Sequence, residues 1–156
     1  MTAVRDYRSG EAEALNRLYV ASVRGLGVRH YSAAQVEVWA GLAPSSERLD
    51  ALMADGRTRL VAVDGEDRPV AFADLQTDGL IHFLYCAPEA AGTGAADALY
   101  AALEARARGA GVPRLTSEAS EAAVRFLKAR GFTVLERRDF EVEGVAIHNY
   151  AVEKRL

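Results

Sequence analysis

The most informative segment of the chain is Leu80-Ile81-His82-Phe83-Leu84-Tyr85-Cys86-Ala87-Pro88-Glu89-Ala90-Ala91-Gly92-Thr93-Gly94-Ala95-Ala96. The apolar run over 80–86 predicts a strand, and the pattern over 95–108 predicts a helix. The small residues between them indicate a backbone that approaches another group closely. Because a helix N-terminus offers unpaired N–H groups and the positive end of the helix dipole, this turn predicts an anion site suited to a pyrophosphate.

A second segment, residues 119–132, makes this prediction more specific. It has the pattern of a short amphipathic helix that is closed by Gly131 and followed by Phe132 at the start of a strand. With one helix and one strand between them, the two segments resemble the motifs of the GNAT superfamily of acyl-CoA-dependent N-acyltransferases. The turn matches the first motif, Q/R-x-x-G-x-G/A, over Ala91-Gly92-Thr93-Gly94-Ala95-Ala96, except at its opening position. The second motif, N-x-x-A-x-x-F/L-Y-x-x-x-G-F, is matched with Ser for Asn and Leu for Tyr by Ser120, Ala123, Phe126, Leu127, Gly131 and Phe132.

Composition excludes several classes of protein. A chain of 156 residues, half of them hydrophobic, is expected to form one domain over 1–156 with a buried core. A net charge of −3 argues against a general nucleic-acid binder, which usually displays a basic face. One cysteine excludes an internal disulfide framework and a thiolate zinc site, so we expect no metal. We see neither a signal peptide nor a membrane-spanning run, and we expect a cytoplasmic protein with no membrane partner.

The order of predicted elements indicates a mixed α/β fold. Helices are expected over 11–24, 32–42, 46–55 and 95–108 and in the second-motif segment, with Gly25 ending the first and Ser32 capping the second. Strands are expected over 3–7, 58–63, 69–76, 80–86, 115–118, 133–142 and 145–153. The resemblance implies a central, mostly antiparallel twisted sheet flanked by helices, with the cofactor turn between the fourth strand and the following helix.

The resemblance also implies acetyl-CoA as the cofactor, leaving as CoA. It assigns the backbone of Leu84, Tyr85 and Cys86 to the pantetheine arm and that of 91–96 to the pyrophosphate. It adds cofactor contacts from Ser120, Phe126 and Leu127. Ala91 replaces the usual Gln or Arg, so one side-chain contact is missing. The alternative is a Gly/Ala turn that only packs a helix on a sheet.

Two residues are candidates for the general base. His82 lies on the strand before the turn, where many GNAT enzymes place an acid or a histidine, and imidazole is suited to accept a proton from an ammonium group. The alternative for His82 is a core histidine bonded to a backbone carbonyl. Glu118 closes the next strand and is expected to face the same cleft as a second base or as an anchor for a cationic substrate. The alternative for Glu118 is a solvated carboxylate.

Leu127 stands where many GNAT enzymes carry a tyrosine that protonates the leaving thiolate. Leucine cannot do this, so either the thiolate leaves unassisted or another hydroxyl serves. Free thiols have a pKa of about 8.5, which makes the unassisted route tolerable. Tyr150, on the last predicted strand, is the candidate hydroxyl, and its alternative is an ordinary packed aromatic.

The acceptor site is expected between the first two helices. In GNAT folds this segment forms one wall of that site, which here implies His30, Tyr31 and Trp39. The alternatives are an ordinary N-cap at Ser32 and an ordinary core residue at Trp39. Asp74 and Glu118 together indicate a cationic acceptor.

Two further side chains are expected to have no chemical role. Cys86 is predicted to be a buried strand residue rather than a nucleophile, because no partner base is evident beside it. His148 is predicted to lie on the surface of the terminal hairpin.

Two functions remain open from the sequence. The first is an N-acetyltransferase that moves an acetyl group from acetyl-CoA directly to a small-molecule or peptide amine, with no nucleic acid involved and a homodimer possible. Direct attack needs no acyl-enzyme, which agrees with the absence of an activated Cys or Ser pair. The second is a non-catalytic acyl-CoA-binding module, supported by Ala91 and Leu127. A phosphate-loop nucleotide site is disfavoured because the Lys-Ser/Thr pair is missing.

Overall fold

The computed structural model describes residues 2–156, which form seven strands and five α-helices. The strands are β1 (Ala3–Asp6), β2 (Thr58–Val63), β3 (Pro69–Leu75), β4 (Leu80–Cys86), β5 (Arg114–Ala119), β6 (Thr133–Val142) and β7 (Val145–Arg155). The helices are α1 (Ala12–Leu26), α2 (Ala33–Ala40), α3 (Ser46–Leu52), α4 (Ala95–Gly109) and α5 (Glu121–Lys128). This order confirms the mixed α/β fold predicted from the sequence.

All seven strands belong to one sheet, in the order β1-β2-β3-β4-β5-β7-β6. The sheet is antiparallel except between β4 and β5, which run parallel. Their pairing covers only Leu80 with Thr116 and Ile81 with Ser117. The rest of β4 therefore has no strand partner on that side, and the sheet is open beyond this point.

The core lies on both faces of the central strands. Every residue over 60–63 and 71–75 is buried, which means that both sheet faces are covered. Helix α1 contacts β3 and β4, whereas α4 contacts β2 and β3. The Tyr19 ring of α1 lies 4.3 Å from the Tyr85 ring of β4, measured between centroids.

Gly25 does not end the first helix, as the sequence predicted. Helix α1 continues to Leu26, and its C-cap is Gly27. A β-carbon on Gly25 would lie 2.4 Å from Cγ of Pro88, in the segment that leads to the glycine-rich turn. The glycine is required because α1 approaches that segment closely, and not because the helix stops there. The predicted capping box is confirmed, since Ser32 Oγ accepts from Gln35 N and the Gln35 side chain accepts from Ser32 N.

Candidate active site

A cavity of about 350 Å³ lies where β4 and β5 separate. Its wall combines residues of α1 and α2, the end of β4, the glycine-rich turn, and the first turns of α4 and α5. The cavity therefore brings together segments that are distant in sequence, and it connects the two motifs with the segment between the first two helices. Eleven of the predicted site residues line it: Tyr31, Trp39, Leu84, Tyr85, Cys86, Ala91, Gly92, Gly94, Ala96, Ser120 and Phe126.

The glycine-rich turn leaves backbone N–H groups open at the start of α4. Gly92 and Gly94 have φ values of +77° and +88°, which favour glycine, and a β-carbon on either would meet nothing within 4 Å. Gly94 is the N-cap and offers no side-chain cap. Among residues 2–156, the N–H groups of residues 95–97 have no hydrogen-bond partner. Converging free amides at a helix N-terminus fit the pyrophosphate of a coenzyme A.

Helix α5 closes one side of the cavity through Phe126, and Arg130, just past the end of α5, packs on that ring. The Arg130 guanidinium carbon lies 3.4 Å from the centre of the Phe126 ring. Arg130 also pairs with Asp97, in the first turn of α4. This contact gives the Asp97 carboxylate a cationic partner beside the open amides.

Three of the predicted cofactor residues do not line the cavity. Ala95 and Leu127 are buried in the core, with exposed fractions of 1% and 0%. The Thr93 hydroxyl donates to the carbonyl of Ala90 within the turn. The position of Leu127 differs from what the resemblance implied, because α5 turns Phe126 toward the cavity and the following residue into the core.

The predicted acceptor wall consists of Tyr31 and Trp39, which line the cavity with their ring centroids 5.4 Å apart. The Tyr31 hydroxyl accepts a hydrogen bond from the backbone N of Glu121 at 2.9 Å, which ties the start of α2 to the start of α5. Burial raises the pKa of Tyr31 to about 12, so its hydroxyl stays protonated at neutral pH. His30, the third predicted acceptor residue, is half-buried and does not line the cavity.

His82 lies at a β-bulge outside the cavity wall. The register of β3 with β4 shifts from Asp74–Phe83 to Leu75–Ile81, which leaves His82 as the extra residue. Its Nδ1 lies 2.9 Å from Nη1 of Arg57. Because a guanidinium only donates, Nδ1 must be the acceptor, and the neutral ring then carries its proton on Nε2.

The surroundings of His82 also disfavour its charged form. Although part of the His82 side chain is exposed to solvent, the protein packed around the ring lowers its pKa, and the neighbouring Arg57 lowers it further. Its ring stacks on Phe83 at 4.1 Å between centroids. His82 is therefore neutral at neutral pH, with its one lone pair already used.

Asp74 and Glu118 do not form an acidic cleft, which corrects the expectation of a cationic acceptor based on them. Asp74 is fully buried and accepts hydrogen bonds from Arg57 at 2.9 Å and from Nε and Nη2 of Arg59 at 2.7 Å each. Glu118 is exposed on β5 and pairs with Arg138 at 2.5 Å. Neither carboxylate lines the cavity.

A cluster that the sequence did not indicate lies beside Tyr31. Oε1 of Glu121 lies 2.6 Å from Nε2 of His148 and 2.7 Å from the hydroxyl oxygen of Tyr150. His148 is therefore not a surface residue of the hairpin; its side chain is only 14% exposed. The alternation of His148 and Tyr150 on one face of β7 was readable in the sequence. Their meeting with the start of α5 was not, because it depends on the pairing of β7 with β5.

The same cluster decides what Tyr150 can do. Its hydroxyl donates to Glu121, and this bond raises the pKa of Tyr150. The hydrogen bonds from Tyr150 and His148 lower the pKa of Glu121, which is therefore a carboxylate at neutral pH. Since Tyr150 does not line the cavity and its proton is engaged, the geometry gives it no contact with a leaving sulfur.

Within residues 2–156, no group of three or more His, Cys, Asp and Glu side chains is arranged to hold a metal ion. None of the helices over the same residues has the length and apolar character that crossing a membrane requires.

Comparison with known structures gives the same fold at several levels of identity. The structure is similar to that of a GCN5-related N-acetyltransferase from Rhodopseudomonas palustris, at 31% identity and a TM-score of 0.90, covering 100% of this chain and 96% of that one. It shares its fold with the PaiA N-acetyltransferase of Thermoplasma acidophilum in complex with coenzyme A (17% identity, TM-score 0.79, 100% and 99% covered). It also shares the fold of a phosphinothricin acetyltransferase from Sinorhizobium meliloti in complex with AcCoA (19% identity, TM-score 0.76, 99% and 88% covered).

No curated protein sequence matches the chain. The family model for the acetyltransferase (GNAT) domain, however, matches residues 28–154, which include both motifs, the acceptor wall and the cluster around Glu121. With this match over most of its length, the chain belongs to the GNAT acetyltransferase family.

Proposed function

We propose that this GNAT acetyltransferase moves an acetyl group from acetyl-CoA directly to a primary amine that is carried on an apolar body. One observation carries the proposal. A single cavity connects the open amides of the glycine-rich turn with the aromatic wall of Tyr31 and Trp39. A cofactor can enter from one end of this cavity and an acceptor from the other, which brings the two reactants together.

The residues that would hold the cofactor follow from the geometry. The amides of residues 95–97 would bind the pyrophosphate, and the unpaired side of β4 over Leu84, Tyr85 and Cys86 would bind the pantetheine arm. When bound, acetyl-CoA supplies the activated acetyl thioester. The protein contributes fixed hydrogen-bond donors and acceptors, and both walls help to exclude water.

Direct transfer is supported by the state of Cys86. Its thiol lines the cavity, but burial raises its pKa and the nearby Glu89 raises it further. Within the described chain, its sulfur makes one hydrogen bond, to the carbonyl of Ala87. A thiol without a base beside it is a poor nucleophile, so an acyl-enzyme on Cys86 is disfavoured.

The acceptor class is inferred from the wall that faces it. Beyond Tyr31 and Trp39, this part of the cavity is lined by apolar side chains of α1 and α2: Val23, Leu26 and Val36. Asp74 and Glu118 are paired elsewhere. An amine with an aromatic or aliphatic body buries apolar surface here, whereas a polycation finds no unpaired carboxylate.

The test is an acetyl transfer assay that detects free CoA. Purified protein with acetyl-CoA should release thiol with an arylalkylamine such as phenethylamine at least tenfold faster than with spermidine. Equal or faster thiol release with spermidine would contradict the proposed acceptor class. Acetyl-CoA binding without turnover of any amine would contradict the proposed acetyl transfer and favour a non-catalytic acyl-CoA-binding module.

Two glycine variants test the cofactor end separately. Gly94→Asp places a carboxylate and a strained residue beside the open amides and should weaken acetyl-CoA binding at least tenfold by calorimetry. Gly111→Asp is the matched control, because Gly111 also has a positive φ, of +74°, and open space around its Cα, but lies beyond the other end of α4. Equal affinities in the two variants would contradict the assignment of the turn.

A further inference from the structure

The cluster of Glu121, His148 and Tyr150 lies against the acceptor wall. The His148 and Tyr31 ring centroids are 5.5 Å apart, and Tyr31 lines the cavity. Ser120, which precedes Glu121, also lines the cavity. The His148 side chain itself does not line the cavity. We infer that His148, oriented by Glu121, takes the proton from the acceptor amine through one bridging water; the inference rests on the proposed function.

The tautomer of His148 supports this role. Nε2 faces the Glu121 carboxylate at 2.6 Å, so it must carry the proton that this hydrogen bond needs. In the neutral ring the lone pair is then on Nδ1. Among residues 2–156, no side chain or backbone group makes a hydrogen bond to Nδ1. A carboxylate that fixes the tautomer and leaves the opposite nitrogen free is the arrangement a general base requires.

The ring is held in place by contacts on several sides. Tyr150 packs edge-on against it, with 5.6 Å between centroids and an angle of 86° between the planes. The Tyr31 ring lies on another side, and the Tyr31 hydroxyl is 3.4 Å from the His148 carbonyl oxygen. A ring fixed by packing keeps Nδ1 in one direction, which lowers the cost of positioning the base.

The charged groups around His148 come from two elements, α5 and β6. Helix α5 contributes the Glu121 carboxylate, and β6 contributes Asp139, which is directly opposite His148 in the register. Asp139 is exposed and paired with Arg137 at 3.1 Å. The phenols of Tyr31 and Tyr150 are neutral at neutral pH. The imidazolium formed on proton uptake would therefore face the half-buried carboxylate of Glu121.

The position of the cluster along the sheet places it at the opening. Tyr150 pairs with Ala119, the last residue of β5. His148 comes two residues before Tyr150 in β7. Because β5 and β7 are antiparallel, His148 lies past the end of β5, beside the start of α5. Gln35 of α2 donates from Nε2 to the Ala146 carbonyl at 2.9 Å, which holds the acceptor wall against this part of β7.

The proposed step is balanced as follows. The acceptor ammonium gives one proton to the bridging water, which passes one of its own protons to Nδ1 of His148, and the freed lone pair of the amine nitrogen forms the C–N bond to the acetyl carbon. The C–S bond breaks with its electron pair on sulfur, and the second proton lost by the nitrogen neutralises the sulfur as the thiol of CoA. The imidazolium returns its proton to solvent through Nδ1.

The experiment compares three variants with the wild type. His148→Gln keeps an N–H donor toward Glu121 but removes the basic nitrogen. Glu121→Gln removes the carboxylate that fixes the tautomer and should lower kcat/KM, because an amide also stabilises the tautomer whose proton is on Nδ1. His82→Gln is the matched control, with the same substitution at the histidine whose lone pair is already used. Each variant is also checked for unchanged acetyl-CoA affinity.

A second measurement does not depend on turnover. Long-range ¹H–¹⁵N spectra of the protein without cofactor report which nitrogen of each histidine ring is protonated. We expect His148 to show the Nε2–H tautomer in the wild type and a mixture of tautomers in Glu121→Gln, because the amide can donate as well as accept. An Nδ1–H tautomer in the wild type would overturn the inference.

The kinetic outcomes separate the two proposals. His148→Gln should lower kcat/KM about a hundredfold, with the pH dependence flattened, while acetyl-CoA affinity stays within twofold. If the wild type acetylates amines and His148→Gln loses less than threefold, the inference is wrong and the proposed function stands. If the wild type acetylates no amine, the proposed function fails and this inference falls with it.

Discussion

His82 and His148 are held by partners of opposite charge. His82 lies at the bulge of β4, and its Nδ1 accepts from the Arg57 guanidinium. His148 lies on β7, and its Nε2 contacts the Glu121 carboxylate. The first ring has its lone pair occupied and its pKa lowered, whereas the second has a free lone pair on Nδ1.

This difference shows that a histidine near an active site is defined by its neighbours. The sequence favoured His82 because of its position before the cofactor turn. The structure places His82 at the edge of a buried ion network of Arg57, Arg59 and Asp74, which points to a structural role. The carboxylate of Glu121 gives His148 what a base needs, namely a fixed tautomer and a partner for the positive charge.

The largest expected effect tests whether the region around His82 is structural. Asp74→Ala leaves the guanidinium groups of Arg57 and Arg59 buried without their shared carboxylate. Removing one partner from a buried ion pair costs about 3–5 kcal/mol, and the free energy of unfolding, measured by urea denaturation, should fall by this amount.

Asp139→Ala is the control for that variant. Asp139 also pairs with an arginine, Arg137, but its side chain is 69% exposed. The free energy of unfolding should change by less than about 1 kcal/mol, because exposed pairs contribute little. Equal losses in the two variants would contradict the view that the buried network supports the fold.

A smaller effect is expected from Tyr150→Phe. This change removes one of the two side-chain donors to Glu121, while His148 keeps its own bond to the same oxygen. Since a single hydrogen bond contributes about 1 kcal/mol, kcat/KM should fall about threefold to tenfold in the thiol release assay. A loss beyond about a hundredfold would restore Tyr150 as the proton donor to the leaving sulfur.

The smallest expected effect is a pH dependence of stability that comes from His82. Its pKa is lowered in the folded state, so the unfolded chain takes up a proton first as the pH falls. The free energy of unfolding should therefore decrease as the pH drops below about 6.5, the ordinary value for histidine, toward the lower folded pKa. The free energy of unfolding of His82→Gln, measured by urea denaturation, should decrease less than that of the wild type between pH 7.5 and 5.5. An identical decrease in wild type and variant would mean that the Arg57 contact does not affect the titration of His82.

Most of the fold could be predicted from the sequence because its signals are local. Alternation and apolar runs located all seven strands, and Ser32 located the start of the second helix through its cap. Gly25 was misread as a helix stop, because its reason is a contact with Pro88, 63 positions further along the chain. A glycine required by a close approach looks the same in sequence as one required by a turn.

The cofactor end of the cavity was also predictable, since one strand, one turn and one helix N-terminus are contiguous in the chain. The acceptor end was predicted only in part. Tyr31 and Trp39 line the cavity as expected, whereas Glu118 and Asp74 are paired with arginines away from it. A carboxylate on a strand does not reveal in sequence which face it takes or which cation it meets.

The order of elements and the glycine-rich turn follow from the sequence alone, because both depend on neighbouring residues and on the intrinsic preferences of glycine, alanine and apolar runs. Which histidine has a free lone pair on its ring depends instead on the tertiary structure. Arg57 is 25 residues from His82, and Glu121 is 27 residues from His148. Both contacts depend on strand register and helix packing, and the partner that each ring meets there, a donor or an acceptor, fixes its tautomer.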